Sequence, residues 1–310
     1  MKIYLTNINE SWIIDRIRNE WISNNKKITT KYSYLSQIIW DVAPWNTRPS
    51  FLKKFKNKKI IQSVYHIEDT SSQSKEVEKI IKNDKFINGY HVISLKTRKE
   101  LSQLTDKPIF YLPLWVNQNI WYYKKNKTEL REKYGFNNKQ YLVGSFQRDT
   151  EGSDLKSPKL IKGPDIFVEI VKKTYKENEN LMVVLTGKRR NFIIEELEKN
   201  SIPFKYFEMT SFSMMNELYN ILDLYLITSR LEGGPQALVE CGQTKTPLIS
   251  TDVGIASQIL APESIFDYKD MNSFDLAAPN VDFAYNESSK LSIPNGMLGY
   301  IDMFKKIYES

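Results

Sequence analysis

Cysteine and histidine are nearly missing from this chain: Cys241 is alone, and His66 and His91 are the only histidines among 310 residues. A single cysteine excludes an internal disulfide and any zinc site built from cysteines. Long apolar runs are absent too. No stretch reaches the roughly 18 consecutive apolar residues of a membrane-crossing helix, so none is expected. The opening MKIYLTNINESW has neither an apolar core segment nor a small-residue cleavage site, which predicts no signal peptide and a cytoplasmic protein. Glycine is thin in the first half: of 12, only Gly89 precedes Gly135. A glycine loop that cradles phosphate therefore belongs to the second half. No Asp-x-Asp pair occurs, and no internal repeat or low-complexity tract is visible.

What remains describes a folded α/β protein. Hydrophobic residues make up 41% and charged residues 26%, the balance of a globular chain, and 13% aromatics argue against disorder. The length suffices for two domains with ample cores. The net charge of +7 is divided unequally: residues 1–138 hold 25 Lys and Arg against 13 Asp and Glu, or +12, and residues 139–310 hold 19 against 24, or −5. A basic half predicts an anionic partner. The run FLKKFKNKK at 51–59, with Phe51 and Phe55, reads first as a solvated loop. Its second reading is a patch for an anionic acceptor or for peripheral contact at the inner face of an anionic membrane. No nucleic-acid module is recognisable, so nucleic acid is not an expected partner.

Strand and helix patterns alternate along the whole chain, which predicts parallel sheets. In the first half, KIYLTN, SQIIWD, IIQSVYH, YHVISL and PIFYLPLW read as strands. The helix after the first carries Trp12, Ile13, Ile17, Trp21 and Ile22 on one face. Ligands in such sheets sit beyond the carboxyl ends of strands, which nominates Asn7, Trp45, His66 and Ser94. The polar stretch 117–138 reads as the connection between domains. A second array runs from QYLVGSF through NLMVVLTG, PFKYFEM, DLYLI and PLIST to ESIFDY, and the chain closes on a helix, NGMLGYIDMFKKIYE. Domain limits of 1–120 and 121–310 follow, with the closing helix, 297–310, free to pack on the first domain.

The chain is organised around Thr228 to Gly254. Here DLYLI leads into Gly233-Gly234-Pro235, a helix with Ala237, Leu238 and Cys241 on its apolar stripe, and a second strand. The paired glycines let backbone approach a ligand, and Pro235 suits the first helical position. A helix start offers free N–H groups and partial positive charge to an anion. Two carboxylates flank it, Glu232 and Glu240, positioned to accept from sugar or ribose hydroxyls.

This block, EGGPQALVE followed by TPLISTDVG, resembles the paired-glutamate motif of retaining GT-B glycosyltransferases of family 4, the group 1 glycosyl transferases. The close likeness covers about residues 140–260. It implies two Rossmann-like domains facing a cleft, the N-terminal one smaller than usual here, and a nucleotide-sugar donor such as a UDP- or GDP-sugar. By resemblance Glu240 holds the donor ribose, and Glu232 faces the transferred sugar as a catalytic group. Gly233 and Gly234 present N–H groups to the diphosphate, and Arg230 touches the sugar. Lys162-Gly163 matches the family's Lys-Gly pair, whereas Ser145 stands where an arginine is usual, leaving Arg148 as the nearest guanidinium. An Arg and a Lys together suit a diphosphate leaving group, so no metal or other cofactor is expected. His66, just past a strand end, occupies the place of an active-site histidine; His91 reads as structural. The first loop, TNINES, lacks the family's glycines, and Lys245 replaces a helix-end glycine. The expected activity is sugar transfer with retention to a glycan, lipid-linked or small-molecule acceptor. A nucleotide-sugar-binding protein without turnover and a GT-B nucleotide-sugar 2-epimerase stay open as alternatives.

Overall fold

The computed structural model describes residues 1–7, 13–71, 74–270 and 279–310. Trp12 and most of the TNINES loop lie outside the described residues. The chain divides into two compact units, Met1–Trp115 together with Ile293–Ser310, and Val116–Ser292. The closing segment, Ile293–Ser310, belongs to the first unit.

The first unit holds five parallel strands: β1 (Ile3–Leu5), β2 (Ile38–Asp41), β3 (Lys59–Val64), β4 (Gly89–Val92) and β5 (Ile109–Tyr111), paired in chain order. A helix lies in the chain between each successive pair, as parallel pairing demands of its crossovers. One face is filled by aromatics. Trp21 stands 5.4 Å from Trp40 and 5.4 Å from Phe304, and Trp115 stands 5.2 Å from Tyr300, edge to face. Tyr300 and Phe304 come from the helix Asn295–Glu309, whose Met297, Met303 and Ile307 are buried in the same cluster. Leu298 and Tyr308, apolar residues of that helix, face solvent. The basic run is a loop only over residues 55–58. Pro49–Lys54 is a short helix, and Phe51 and Phe55 pack against each other at 4.9 Å and against the core.

His91 lies fully buried in β4 as the end of a polar chain. Trp40 Nε1 donates to Ser63 Oγ at 2.9 Å, Ser63 Oγ pairs with His91 Nδ1 at 2.9 Å, and His91 Nε2 meets the Leu112 carbonyl at 2.9 Å. A neutral ring satisfies every bond. Burial pushes its pKa down to about 4, against the Leu112 carbonyl, which pulls it up. The unfolded chain, with histidine near 6.5, binds the proton first as pH falls. Stability from this group is therefore present above pH 6.5 and is lost as pH falls through 6.5 toward 4. The expected loss between pH 7 and pH 5 is about 2 kcal/mol. Urea unfolding of the wild type and His91→Gln at both pH values checks this: an equal pH slope in the two would exclude His91 as the source.

The second unit is a six-stranded parallel sheet. Its strands are β6 (Tyr141–Ser145), β7 (Leu181–Thr186), β8 (Phe204–Phe207), β9 (Leu224–Ile227), β10 (Leu248–Thr251) and β11 (Ile265–Phe266), in the order β11-β10-β9-β6-β7-β8. Apolar clusters cover both faces. A helix absent from the sequence reading, Val281–Ser289, packs on the helix Gln236–Thr244, where Gln243 Nε2 donates to Ser288 Oγ at 3.0 Å. Its segment VDFAYNESS is too polar to show a helical stripe. Lys245, at the end of the helix Gln236–Thr244, takes the left-handed conformation (φ 52°) that a glycine adopts more easily. Its ammonium lies over the Tyr285 ring, 4.6 Å from the centroid, and 3.3 Å from Asp282.

Candidate functional site

The winding direction of the second sheet reverses at β6, which has β7 on one side and β9 on the other. Ligands of parallel sheets bind at the carboxyl ends flanking such a reversal. The two segments singled out by sequence leave those two strands: β6 runs into the 146–162 loop, and β9 into 228–235.

The two segments are laced together. Arg230 N and Leu231 N both donate to the Ile161 carbonyl, at 2.8 and 3.2 Å, and Thr228 Oγ1 donates to Gly163 O at 2.7 Å. Gly163 is left-handed (φ 62°), and a Cβ there would stand 1.8 Å from the Thr228 carbonyl oxygen. Only glycine allows this approach. Lys162 Nζ consequently donates to Glu232 Oε1 at 2.5 Å. Ser229 Oγ also reaches that oxygen, at 3.2 Å, and Gln147 Nε2 holds the Lys162 carbonyl at 2.9 Å. Glu232 and Lys162 are both partly buried.

Pro235 is the residue before the helix, which starts at Gln236. The glycine pair ahead of it is backed by the following loop: a Cβ on Gly254 would meet Gly234 Cα at 2.7 Å and the Gly233 carbonyl oxygen at 2.8 Å. Glu240, in the second helical turn, is buried, and Tyr219 donates its hydroxyl to Oε2 at 3.0 Å. Burial and then the Glu240 charge push that phenol well above its usual range, so it remains a donor. Arg230 points elsewhere. Its guanidinium forks onto Asp165 at 2.8 and 2.6 Å and Nη1 also donates to Leu160 O at 2.7 Å, which ties β9 to the helix Pro164–Glu177.

Arg148 is half-buried beside a buried pair that sequence reasoning missed. Asp149 N donates to the Arg189 carbonyl at 2.9 Å, and Asp149 Oδ2 stands 3.5 Å from Arg190 Nε. Arg190 Nη2 donates to Ser145 Oγ at 3.1 Å. The serine found in place of an arginine thus receives a guanidinium from the loop after β7. Burial pushes the Asp149 pKa up to about 6, although Arg190 pulls it down. In sequence, GKRRN after a strand looks like any exposed basic turn; Gln147, Ser229 and Tyr219 carried no motif at all.

His66 lies in the first unit, just past β3, a third exposed, with Nε2 3.4 Å from Glu68 Oε1. Asp41, at the end of β2, is buried and accepts from Thr47 Oγ1 at 2.7 Å and Gln62 Nε2 at 2.8 Å. Among the described residues no group of three or more His, Cys, Asp or Glu comes together to hold a metal ion.

Residues 126–277 match the family model described as Glycosyl transferases group 1. No curated protein matches by sequence. Solved structures do match by fold. HepE of Anabaena, in complex with UDP and glucose, aligns with TM-score 0.76 at 11% identity over 100% of both chains. Sucrose-phosphate synthase from Thermosynechococcus elongatus aligns with TM-score 0.69 at 12% identity over 98% of this chain and 81% of that one. TarM of S. aureus, in complex with UDP, fondaparinux and alpha-GlcNAc-glycerol, aligns with TM-score 0.61 at 18% identity over 88% of this chain and 55% of that one. At these identities the likeness establishes the fold: two parallel-sheet Rossmann-like domains, the GT-B type.

Proposed function

We propose that this chain, whose residues 126–277 match the family model described as Glycosyl transferases group 1, transfers a sugar from a nucleoside-diphosphate sugar to an acceptor hydroxyl with retention of configuration. The supporting observation is the 2.5 Å contact of Lys162 with Glu232 at the sheet's reversal point. A cation suited to the departing diphosphate and a carboxylate suited to a sugar with developing positive charge meet at one place. Glu240, in the second turn of the following helix, is assigned the ribose, and the Gly233-Gly234 backbone the diphosphate. Arg148 joins Lys162 in balancing the leaving phosphate, so no metal takes part. His66 is the contribution assigned to the first unit, and Arg230 reaches the sugar only on leaving Asp165. The acceptor is a glycan, a lipid-linked sugar or a small molecule. Residence in the cytoplasm, with peripheral contact between the basic half and an anionic membrane, belongs to the same reading.

HepE and TarM were both solved with UDP, so UDP-sugars are the first donors to test. The full chain is expected to release UDP from a UDP-sugar in the presence of acceptor and to be stabilised by UDP in thermal unfolding. EDTA should leave the rate nearly unchanged. Activity lost in EDTA and restored by Mg2+ or Mn2+ would remove the phosphate-balancing role from Arg148 and Lys162. Donor binding without any UDP release would reduce the chain to a binding protein. An isomerised sugar formed without acceptor would make it an epimerase.

A further inference from the structure

Between residues 21 and 67 the sequence holds nine Lys and Arg and one acid, Asp41, and that acid is fully buried. The surface contributed by this segment therefore carries charge of one sign. The same surface exposes large side chains: Tyr32 is 57% exposed, Tyr34 72% and Leu35 52%. The two tyrosine rings stand 5.5 Å apart.

Strand register brings these features together. β1, β2 and β3 are parallel neighbours, with Ile3 opposite Ile38 and Ile38 opposite Lys59. The segments that lead into them, Met1–Lys2, Tyr32–Gln37 and Lys56–Lys58, thus share the amino-terminal end of the sheet. Side chains fasten them to one another. Lys58 Nζ donates to the Tyr34 carbonyl at 3.1 Å and to the Ser36 carbonyl, and Lys2 Nζ donates to the Lys27 carbonyl at 2.8 Å. Tyr32 N donates to Thr30 Oγ1 at 3.2 Å, and Leu35 N to the Tyr32 carbonyl at 3.1 Å, so the turn that presents the rings is braced. Lys26, Lys27, Lys31 and Lys56 around it are exposed. Phe51 and Phe55 contribute nothing here, because they pack inward.

We propose that this amino-terminal end of the first sheet docks on an anionic lipid surface. Tyr32, Tyr34 and Leu35 sit at headgroup depth, and the surrounding lysines lie among the lipid phosphates. Tyrosine prefers that boundary, and lysine near it is drawn by negative surface potential. A nucleic acid or a polyanionic glycan would account for the lysines but leaves exposed Leu35 without a role, and it is better served by forked arginines. Docking through this end leaves the carboxyl end of the sheet, where His66 stands, uncovered. The inference rests on the peripheral-membrane part of the reading above, not on the transfer chemistry.

Sedimentation of the full chain with phosphatidylcholine vesicles, with and without phosphatidylserine, tests it. The wild type is expected to bind only the anionic vesicles, less tightly as salt rises. The triple variant Tyr32→Ser, Tyr34→Ser, Leu35→Ser should bind them roughly tenfold more weakly. A second variant, Lys26→Glu with Lys31→Glu, should bind more weakly while the salt dependence flattens; all five substituted residues are exposed, and thermal unfolding confirms the fold. A wild type that fails to bind anionic vesicles at low salt overturns the membrane reading as a whole. Binding by the wild type and equal binding by the triple variant overturns this patch alone. Tighter binding to heparin or RNA than to vesicles, indifferent to the triple variant, assigns the surface to a polyanion and overturns the proposal.

Discussion

Glu232→Gln is expected to lower turnover at saturating donor by roughly 100-fold, the loss typical of one preorganised electrostatic partner, while nucleoside diphosphate binds at least as tightly as before. The structure sharpens the second half of this expectation. Glu232 accepts from Lys162 at 2.5 Å, so neutralising it leaves the lysine charge more available to a phosphate. Glu240→Ala should fail in the opposite way. A carboxylate that accepts from ribose contributes equally before and during reaction, and losing uniform binding raises the Michaelis constant with little effect on turnover. The expected loss of nucleotide affinity is roughly 1.5–3 kcal/mol. Tyr219 complicates that variant, since its buried hydroxyl loses the acceptor 3.0 Å away; urea unfolding of the same variant separates lost stability from lost affinity. Calorimetry with UDP and saturation kinetics on both variants decide the matter. Nucleotide affinity lost in Glu232→Gln and kept in Glu240→Ala reverses the two roles. No change in either quantity for either variant rejects the glycosyltransferase reading of this site.

Gly163→Ala is expected to destabilise the second unit by about 2–5 kcal/mol. Part is the left-handed conformation, φ 62°, which costs a Cβ-bearing residue about 1–2 kcal/mol. The rest is the contact at 1.8 Å with the Thr228 carbonyl oxygen, which moves only if β9 moves; overpacking of this kind costs about 1–3 kcal/mol. Gly152→Ala is the control. Its added Cβ would meet only the end of the Arg189 side chain, at 2.8 Å, and a flexible surface group yields at a cost within about 0.5 kcal/mol. Urea unfolding measures both. If Gly163→Ala stays within that same margin, the close approach of the two loops is not what fixes this glycine.

The order of strands and helices was legible because a buried strand such as LMVVLT and an amphipathic helix such as PDIFVEIV differ in hydrophobic period. What failed had no period to show. Val281–Ser289 buries little beyond Ala284 and Ser288, so its helical stripe is nearly invisible. Phe51 and Phe55 face the core although lysines surround them, since a six-residue helix, Pro49–Lys54, turns the two rings to one side. The site divided in the same way. Glu232, Glu240 and Lys162 could be nominated because a glycine, a proline and a following strand stood in register around them. Asp149 with Arg190 and Tyr219 with Glu240 are pairings between separate elements, and only folding brings them within reach. Arg230, expected on the sugar, is instead joined to Asp165, at a separation in sequence that no local pattern records.

The closing helix sets a timetable. Residues 293–310 supply Tyr300 and Phe304 to a core whose other walls are Trp21, Trp40 and Trp115. On the ribosome that helix emerges only after all of residues 116–292 have been made. At 5–20 residues per second this delay is roughly 10–35 s. At the end of that interval the second unit, drawn from one continuous stretch of chain, holds everything its core requires. The half of the protein that is synthesised first is therefore the half that finishes folding last, and its tryptophans spend the interval without Tyr300 and Phe304.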